Sequence, residues 1–277
     1  MIQLTRPLHQ QIELILSLTK RDLKARYKDS VFGFLWSLFR PAFLTFVLWI
    51  VFSRILQLPP PSREVPYWLH MLVSVLTWNF FVGSLLDATH SVVANANLIK
   101  KVPLDAEVFP ISAIFANAVH LALAMIIAVV VAVIVTGHIS WQILTLPVSL
   151  GILGTFALAL SLMTSALQVY FRDVGSLLEL VTLAWFYVTP IIYPVWMVRE
   201  RLGPALEQTW FHLYMLNPVT PAVVAVRYAL LYGGASAELP AGEMWFYLGI
   251  SFLVGILLLV PAEVVFRRLS RHFADEL

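Results

Sequence analysis

Residues 108–171 read VFPISAIFANAVHLALAMIIAVVVAVIVTGHISWQILTLPVSLGILGTFALALSLMTSALQVYF, a run of 64 residues without one Asp, Glu, Lys or Arg. A membrane helix needs about 20 mostly apolar residues to cross roughly 30 Å of hydrocarbon. The run is therefore too long for one span and long enough for two, and the polar break Thr136-Gly137-His138-Ile139-Ser140 divides it. Applied outward, the same measure finds 22 uncharged residues from Val65 to Leu86 and 19 from Met244 to Ala262, one span each. Pro41 to Ser53, extended back through Val31 to Phe39 across Arg40, makes another span, and Val174 to Ile192, carrying only Glu179, one more. The chain reads as an all-α integral membrane protein with six transmembrane helices, at about 31–55, 66–88, 109–135, 141–168, 174–192 and 244–265. These form one unit over residues 31–266, between an N-terminal interface segment, 1–30, and a tail, 267–277.

The composition of the whole chain agrees. Of its 277 residues 60% are hydrophobic and 12% charged, with a mean hydropathy of +0.84. So few charges cannot cover a water-soluble core of this size, which excludes an ordinary soluble enzyme. A disordered chain needs low hydrophobicity and high net charge and is excluded too. Without cysteine there is no disulfide framework, thiolate metal site or cysteine nucleophile. An even number of spans puts both termini on one side. If that side is the cytoplasm, 13 of the 18 Lys and Arg lie inside and five outside (Arg54, Arg63, Arg199, Arg201 and Arg227). The positive-inside rule then places both termini in the cytoplasm.

No cleaved signal peptide is expected, because the first long apolar run starts near residue 31. The residues before it place Leu8, Ile12, Ile15, Leu16 and Leu23 near helical spacing and end in Lys20, Arg21, Lys24, Arg26 and Lys28. They read as an amphipathic helix lying on the membrane surface, or as a basic flank that fixes topology. Residues 94–110, after the second span, mix both charge signs with apolar residues and have a proline near each end. A short amphipathic helix presenting Leu98, Ile99 and Val102 to a cytoplasmic partner is one reading, and a solvated loop the other. Between the fifth and sixth spans lie apolar pieces, 193–197, 210–216 and 221–226, broken by Asn217-Pro218 and Gly233-Gly234. Each is too short to span. They suit two re-entrant helices forming an outer gate, or a loop on the lipid surface.

Chemical motifs are missing. There is no Gly-Lys-Ser or Gly-Lys-Thr phosphate loop, no Gly-x-Ser-x-Gly and no His-Glu-x-x-His. Any ATP that drives this protein must be hydrolysed by another chain. The seven histidines stand singly, without ligand spacing, so no metal site is expected. Arg40 and Glu179 are the main charges at membrane depth: they pair, face a polar conduit, or reach the cytoplasmic interface. The absence of mid-span carboxylate and histidine chains weighs against a proton-driven mechanism. Many aromatic residues belong to the interfacial belts. A subset suits the lining of a passage for sugars, whose apolar faces flat rings cover: Trp36, Phe39, Phe43, Trp78, Phe81, Tyr187 and Tyr193.

Residues 21–36, RDLKARYKDSVFGFLW, followed by Arg40-Pro41 and Val51-Phe52-Ser53, resemble the opening of ABC-2 type exporter membrane subunits for polysaccharides and lipid-linked glycans, such as O-antigen and teichoic acid permeases. Further matches are Lys100-Lys101-Val102-Pro103-Leu104 with Glu107-Val108-Phe109-Pro110, Tyr170-Phe171-Arg172-Asp173-Val174, Thr189-Pro190-Ile191-Ile192-Tyr193 and Leu216-Asn217-Pro218. They stand in the family's order and cover nearly the whole chain.

The resemblance implies a surface helix, a cytoplasmic coupling helix that docks on an ATPase, and two re-entrant helices between spans five and six. It implies coupling through Asn95, Asn97, Leu98, Ile99, Lys100, Lys101, Val102, Pro103, Asp105 and Glu107. Arg21, Lys24, Arg26, Tyr27 and Lys28 would meet a lipid pyrophosphate head group at the cytoplasmic entrance. Pro190, Pro194, Trp196, Asn217 and Pro218 belong to the outer gate. The implied partners are a second copy, two ABC ATPase subunits, a polysaccharide or undecaprenyl-linked glycan, and the bilayer, with no nucleic acid. The chain itself carries no cofactor, ATP and Mg being held by the partner subunit. Two alternatives are an ABC-2 exporter of drugs or small hydrophobic molecules, and an intramembrane glycosyl or lipid transferase. For the latter, Asp105 with Glu107 and Arg172 with Asp173 are the only close candidates.

Overall fold

The computed structural model describes residues 8–27, 35–60, 62, 65–101, 104–137, 140–232 and 238–277, without the side chains of Leu8, Tyr27, Ser37 and residues 203–208. Lys28, Val102 and Pro103, named above as site residues, lie outside the described residues, as do Gly233 and Gly234. Among the described residues every regular element is helical. Five helical stretches among the described residues are long and apolar enough to cross a membrane: residues 38–55, α3 (Tyr67–Ala94), α5 (Val108–Thr136), 141–170 and α11 (Ala241–Ser270). The first is the end of α2 (Leu35–Trp49) continued by a π-helical stretch, Ile50–Ile55, and the fourth a 3₁₀ turn running into α6 (Thr145–Tyr170).

The fifth expected span differs. Its helix α7, Val174–Val188, has 15 residues, about 22 Å at 1.5 Å per residue. It stops at Thr189, whose ψ of 141° is extended. Pro190 is the physical reason: its ring disfavours helical backbone in the residue before it. Residues 189–192, counted above as the end of a span, are therefore irregular. α11 contains the expected span 244–265 and continues past it to Ser270 through Arg267 and Arg268.

α3 is the spine. It packs against α2, α5, α6, α7 and α10 (Val219–Leu231), and it is buried over most of its circumference, as expected of a helix apolar all round. Where it meets α6 its polar residues are small hydroxyls. Thr89 Oγ1 bonds the Leu85 carbonyl at 2.7 Å and meets Thr164 Oγ1 at 2.7 Å across the interface. α11 lies along α6 at Gly255, where a Cβ would stand 3.4 Å from the backbone nitrogen of Phe156. Such small residues let membrane helices approach closely.

α1 (Leu8–Tyr27) is a helix beside the bundle. Leu14, Ile15 and Leu18 pack with Val108 and Phe109 at the start of α5. Ile12 and Leu16, part of the apolar stripe seen in the sequence, stay exposed. α4, Ala96–Lys101, follows α3 after one residue. Between α7 and α11 come α8 (Val195–Leu206), a short π-helical turn, α9 (His212–Met215) and α10, and the chain ends in α12, Phe273–Glu276.

Candidate functional site

The two ends of the bundle carry different polar assemblies. At the end holding the α7–α8 connection and α10, every residue of α10 is buried, Arg227 included. A guanidinium cannot be buried without partners, and this one has them from three separate segments. Arg227 Nη2 donates to Glu238 Oε2 at 2.7 Å. Nη1 donates to the Pro190 carbonyl at 2.5 Å and to Ser74 Oγ at 3.1 Å, and lies 3.1 Å from His70 Nε2. His70 Nδ1 is 3.0 Å from the Tyr232 hydroxyl, and the Val195 N–H donates to Glu238 Oε2 at 3.0 Å. Burial raises the Glu238 carboxyl above the ordinary carboxylate range, while Arg227, the Val195 N–H and Tyr232 pull it back. The network fastens α10, the irregular 189–195 segment and the start of α11 to α3.

Leu216-Asn217-Pro218 completes that end. Asn217 Oδ1 accepts from Trp185 Nε1 at 3.0 Å and from the Val219 N–H at 3.3 Å. Its Nδ2 donates to Thr189 Oγ1 at 3.1 Å and Thr220 Oγ1 at 3.0 Å. One side chain thus closes the end of α7 and begins α10, where the first backbone N–H groups need an acceptor. Of the expected gate residues, Pro190 accepts from Arg227 through its carbonyl, and Asn217 bonds Thr189, the residue before Pro190. Pro194 is buried and Trp196 half-buried at the start of α8, and Pro218 immediately precedes α10.

Of the expected channel aromatics, Trp78 and Phe81 are inside the protein. Phe81 stacks on Phe156 at 5.7 Å and meets Trp185 edge-on at 5.3 Å, and Trp78 packs on Phe186 at 5.8 Å. A ring with 5% or less of its surface exposed lines nothing in this chain, so these two are scaffold where α3, α6 and α7 meet. Trp36, Phe39 and Phe43 are exposed on α2 and Tyr187 on α7. Tyr193 donates its hydroxyl to the Tyr187 carbonyl at 2.9 Å.

At the other end, α4 leaves Asn97, Leu98, Lys100 and Lys101 exposed, while Ile99 turns inward. Asn95 Nδ2 donates to the Ser91 carbonyl at 2.8 Å. Asp105 accepts from Gln11 Nε2 of α1 at 2.9 Å, and Glu107 meets Arg267 Nε at 3.1 Å. Burial first, and then the Glu263 carboxylate beside it, push Glu107 up to about 7 against the pull of Arg267. Of the basic cluster, Arg21 pairs with its neighbour Asp22 at 2.9 Å, Lys24 is exposed, and Arg26 pairs with Asp87 of α3. Asn117 Nδ2 donates to the same Asp87 carboxylate at 2.7 Å.

The sequence reading passed over Arg227, Glu238, His70 and Asp87. Glu238 and Arg227 are eleven residues apart, and the sequence marks Arg227 only as an external charge; His70 and Asp87 are single polar residues within an apolar helix. The one available signal was His70 inside a span, where an ionisable group needs a partner.

Residues 13–231 match the family described as ABC-2 type transporter. An O-antigen export system permease protein RfbA of Klebsiella pneumoniae is 27% identical over 265 residues, 95% of this chain and 94% of that protein. The protein of the same name from Myxococcus xanthus is 28% identical over 277 residues, the full length of both chains.

Proposed function

Since the chain belongs to the ABC-2 type transporter family, we propose that it is the permease subunit of an ATP-driven exporter moving a polysaccharide or lipid-linked glycan out of the cytoplasm. The observation that carries this is the end-to-end likeness to O-antigen export permeases. The chain is a transport subunit and hydrolysis belongs to a separate ATPase, which in this reading holds ATP and Mg. The inner membrane is its place, with both termini cytoplasmic. α7 together with residues 189–194 is the fifth of six crossings. α8–α9 and α10 are the two re-entrant helices of the outer gate, held by Arg227 and Asn217.

The working unit is two permease copies with two ATPase subunits. α2 and α7 both pack on α3, and each buries only a narrow set of residues, Pro41 and Thr45 on α2 and Gly175, Thr182 and Phe186 on α7. Their remaining surfaces expose Arg40 and Glu179, and a charge facing hydrocarbon costs about 2.5–3.5 kcal/mol at mid-depth. Opposite charges on two uncovered faces favour α2 of one copy against α7 of the other. Trp36, Phe39, Phe43 and Tyr187 would then line the conduit between them. Lys24 and its basic neighbours meet the lipid-linked head group, and α4 with residues 104–107 receives the ATPase.

Deletion of this chain should leave the glycan assembled inside the cytoplasm and absent from the cell surface. Purified alone, the protein should hydrolyse no ATP. Normal surface glycan after deletion, or turnover of ATP by the isolated chain, would sink the reading.

A further inference from the structure

The last residues of the chain fold back onto the segment that receives the ATPase. α12 packs against α4 and α6. Phe273 has 0% of its surface exposed. Its ring meets Phe266 edge-on at 5.6 Å and lies 6.3 Å from Tyr170. The cluster it completes contains Val92 of α3, Ala106, and Leu162, Ala166 and Val169 of α6, with Ile99 of α4 and the terminal Leu277 against it. The Tyr170 hydroxyl donates to the Leu269 carbonyl at 2.9 Å, closing the end of α11 onto the end of α6. Five residues before Phe273's neighbour His272, Arg267 reaches both Glu107, at 3.1 Å, and Glu263, at 2.5 Å.

A six-residue helix has no stability of its own in water, because nucleation costs more than so few hydrogen bonds return. The orientation of α4 must therefore come from what lies beneath it, and Ile99 is the residue it sends inward. Below Ile99 are α1 residues on one side and the C-terminal segment on the other. This packing links the exposed face of α4 to α6 and α11.

We propose that residues 267–277 are a working part of the coupling device, with Phe273 and Arg267 as positioning residues that brace α4 and the 104–107 segment against α6 and α11. The proposal rests on the assignment of α4 as the ATPase docking element. Phe273 acts as a brace and not as a docking group, since it is covered by the chain itself.

The test uses the permease coexpressed with its ATPase. In the Phe273→Ala variant, amide exchange of α4 in the purified permease, held in lipid nanodiscs, should rise about tenfold or more, as loss of a fully buried ring loosens the helix above it. Exchange of α10 at the far end should not change. The variant should still capture the ATPase while exporting several-fold less glycan per ATP hydrolysed, and Phe273→Leu should restore most of both. Arg267→Gln gives a milder second variant should Phe273→Ala fail to accumulate, with raised exchange confined to residues 104–110. Unchanged α4 exchange in Phe273→Ala, or unchanged exchange of residues 104–110 in Arg267→Gln, overturns the brace, as does parental export per ATP. The docking assignment is judged separately: Leu98→Glu, on the exposed face, should abolish ATPase capture with α4 exchange in the permease unaltered. Retained capture there removes the docking assignment, whatever the exchange data say of the brace.

Discussion

Arg227 gives Nη2 to Glu238 and Nη1 to Pro190 and Ser74, with His70 Nε2 beside it, so one side chain joins pieces of chain that are distant in sequence. The desolvation of a buried pair offsets most of its attraction, and its removal as a pair is far cheaper than the removal of one member. Arg227→Met strands the Glu238 carboxylate and should cost about 3–5 kcal/mol of stability. The double variant Arg227→Met/Glu238→Leu should recover most of that, followed by thermal unfolding in detergent. If the double variant loses the sum of the two single losses, the pairing argument fails. Asn217 shows the same economy with neutral groups: one amide serves the ends of two helices.

Among the helices, the junction of α4, α5 and α11 is where a single proton matters. Glu107 stands at the N-terminus of α5 with its carboxyl raised from 4.5 to about 7, chiefly by burial and then by Glu263. The folded protein therefore holds a proton that the unfolded chain has released. That contribution to stability is complete below about pH 4.5 and is lost as the pH rises through about 7. Glu107→Gln, neutral throughout, should flatten the dependence of Tm on pH between about pH 5 and pH 8. A slope identical to the parent's would remove Glu107 from this role. At the opposite end the decisive feature is covalent: Pro190 ends α7 after 15 residues and frees its own carbonyl, which Arg227 then occupies.

Over the whole molecule, the exposed helix surfaces differ in kind. α5 exposes Phe115, Val119, Ile126, Ile127, Val130 and Ile134, all apolar, whereas α2 and α7 expose Arg40 and Glu179 among their aromatics. The chain has no cysteine, so an introduced thiol reports on its own position. In native membranes, Phe43→Cys and Leu180→Cys should each yield dimers with a short bifunctional maleimide, and Ile126→Cys should not. The reverse pattern would place the second copy elsewhere and take the α2/α7 conduit with it.

The sequence alone determined the membrane class, the approximate position of the long helices and the family, because hydrocarbon thickness imposes one length on every span and the motifs are local runs. Asn217, Pro190 and residues 95–107 were legible as important for the same reason: each stands in a short contiguous pattern. What only the tertiary structure decided depends on contacts between distant residues. Trp78 and Phe81, which by composition suit a channel wall, became scaffold because Phe156 and Trp185 cover them. His70, Arg227 and Glu238 became one network because α3, α10 and the approach to α11 converge, and the closing tail found α4 because Phe273 completes a cluster built from five other segments. Periodicity and hydropathy report how a residue partitions between water and lipid. They do not report which apolar or polar neighbour it meets once the helices have packed.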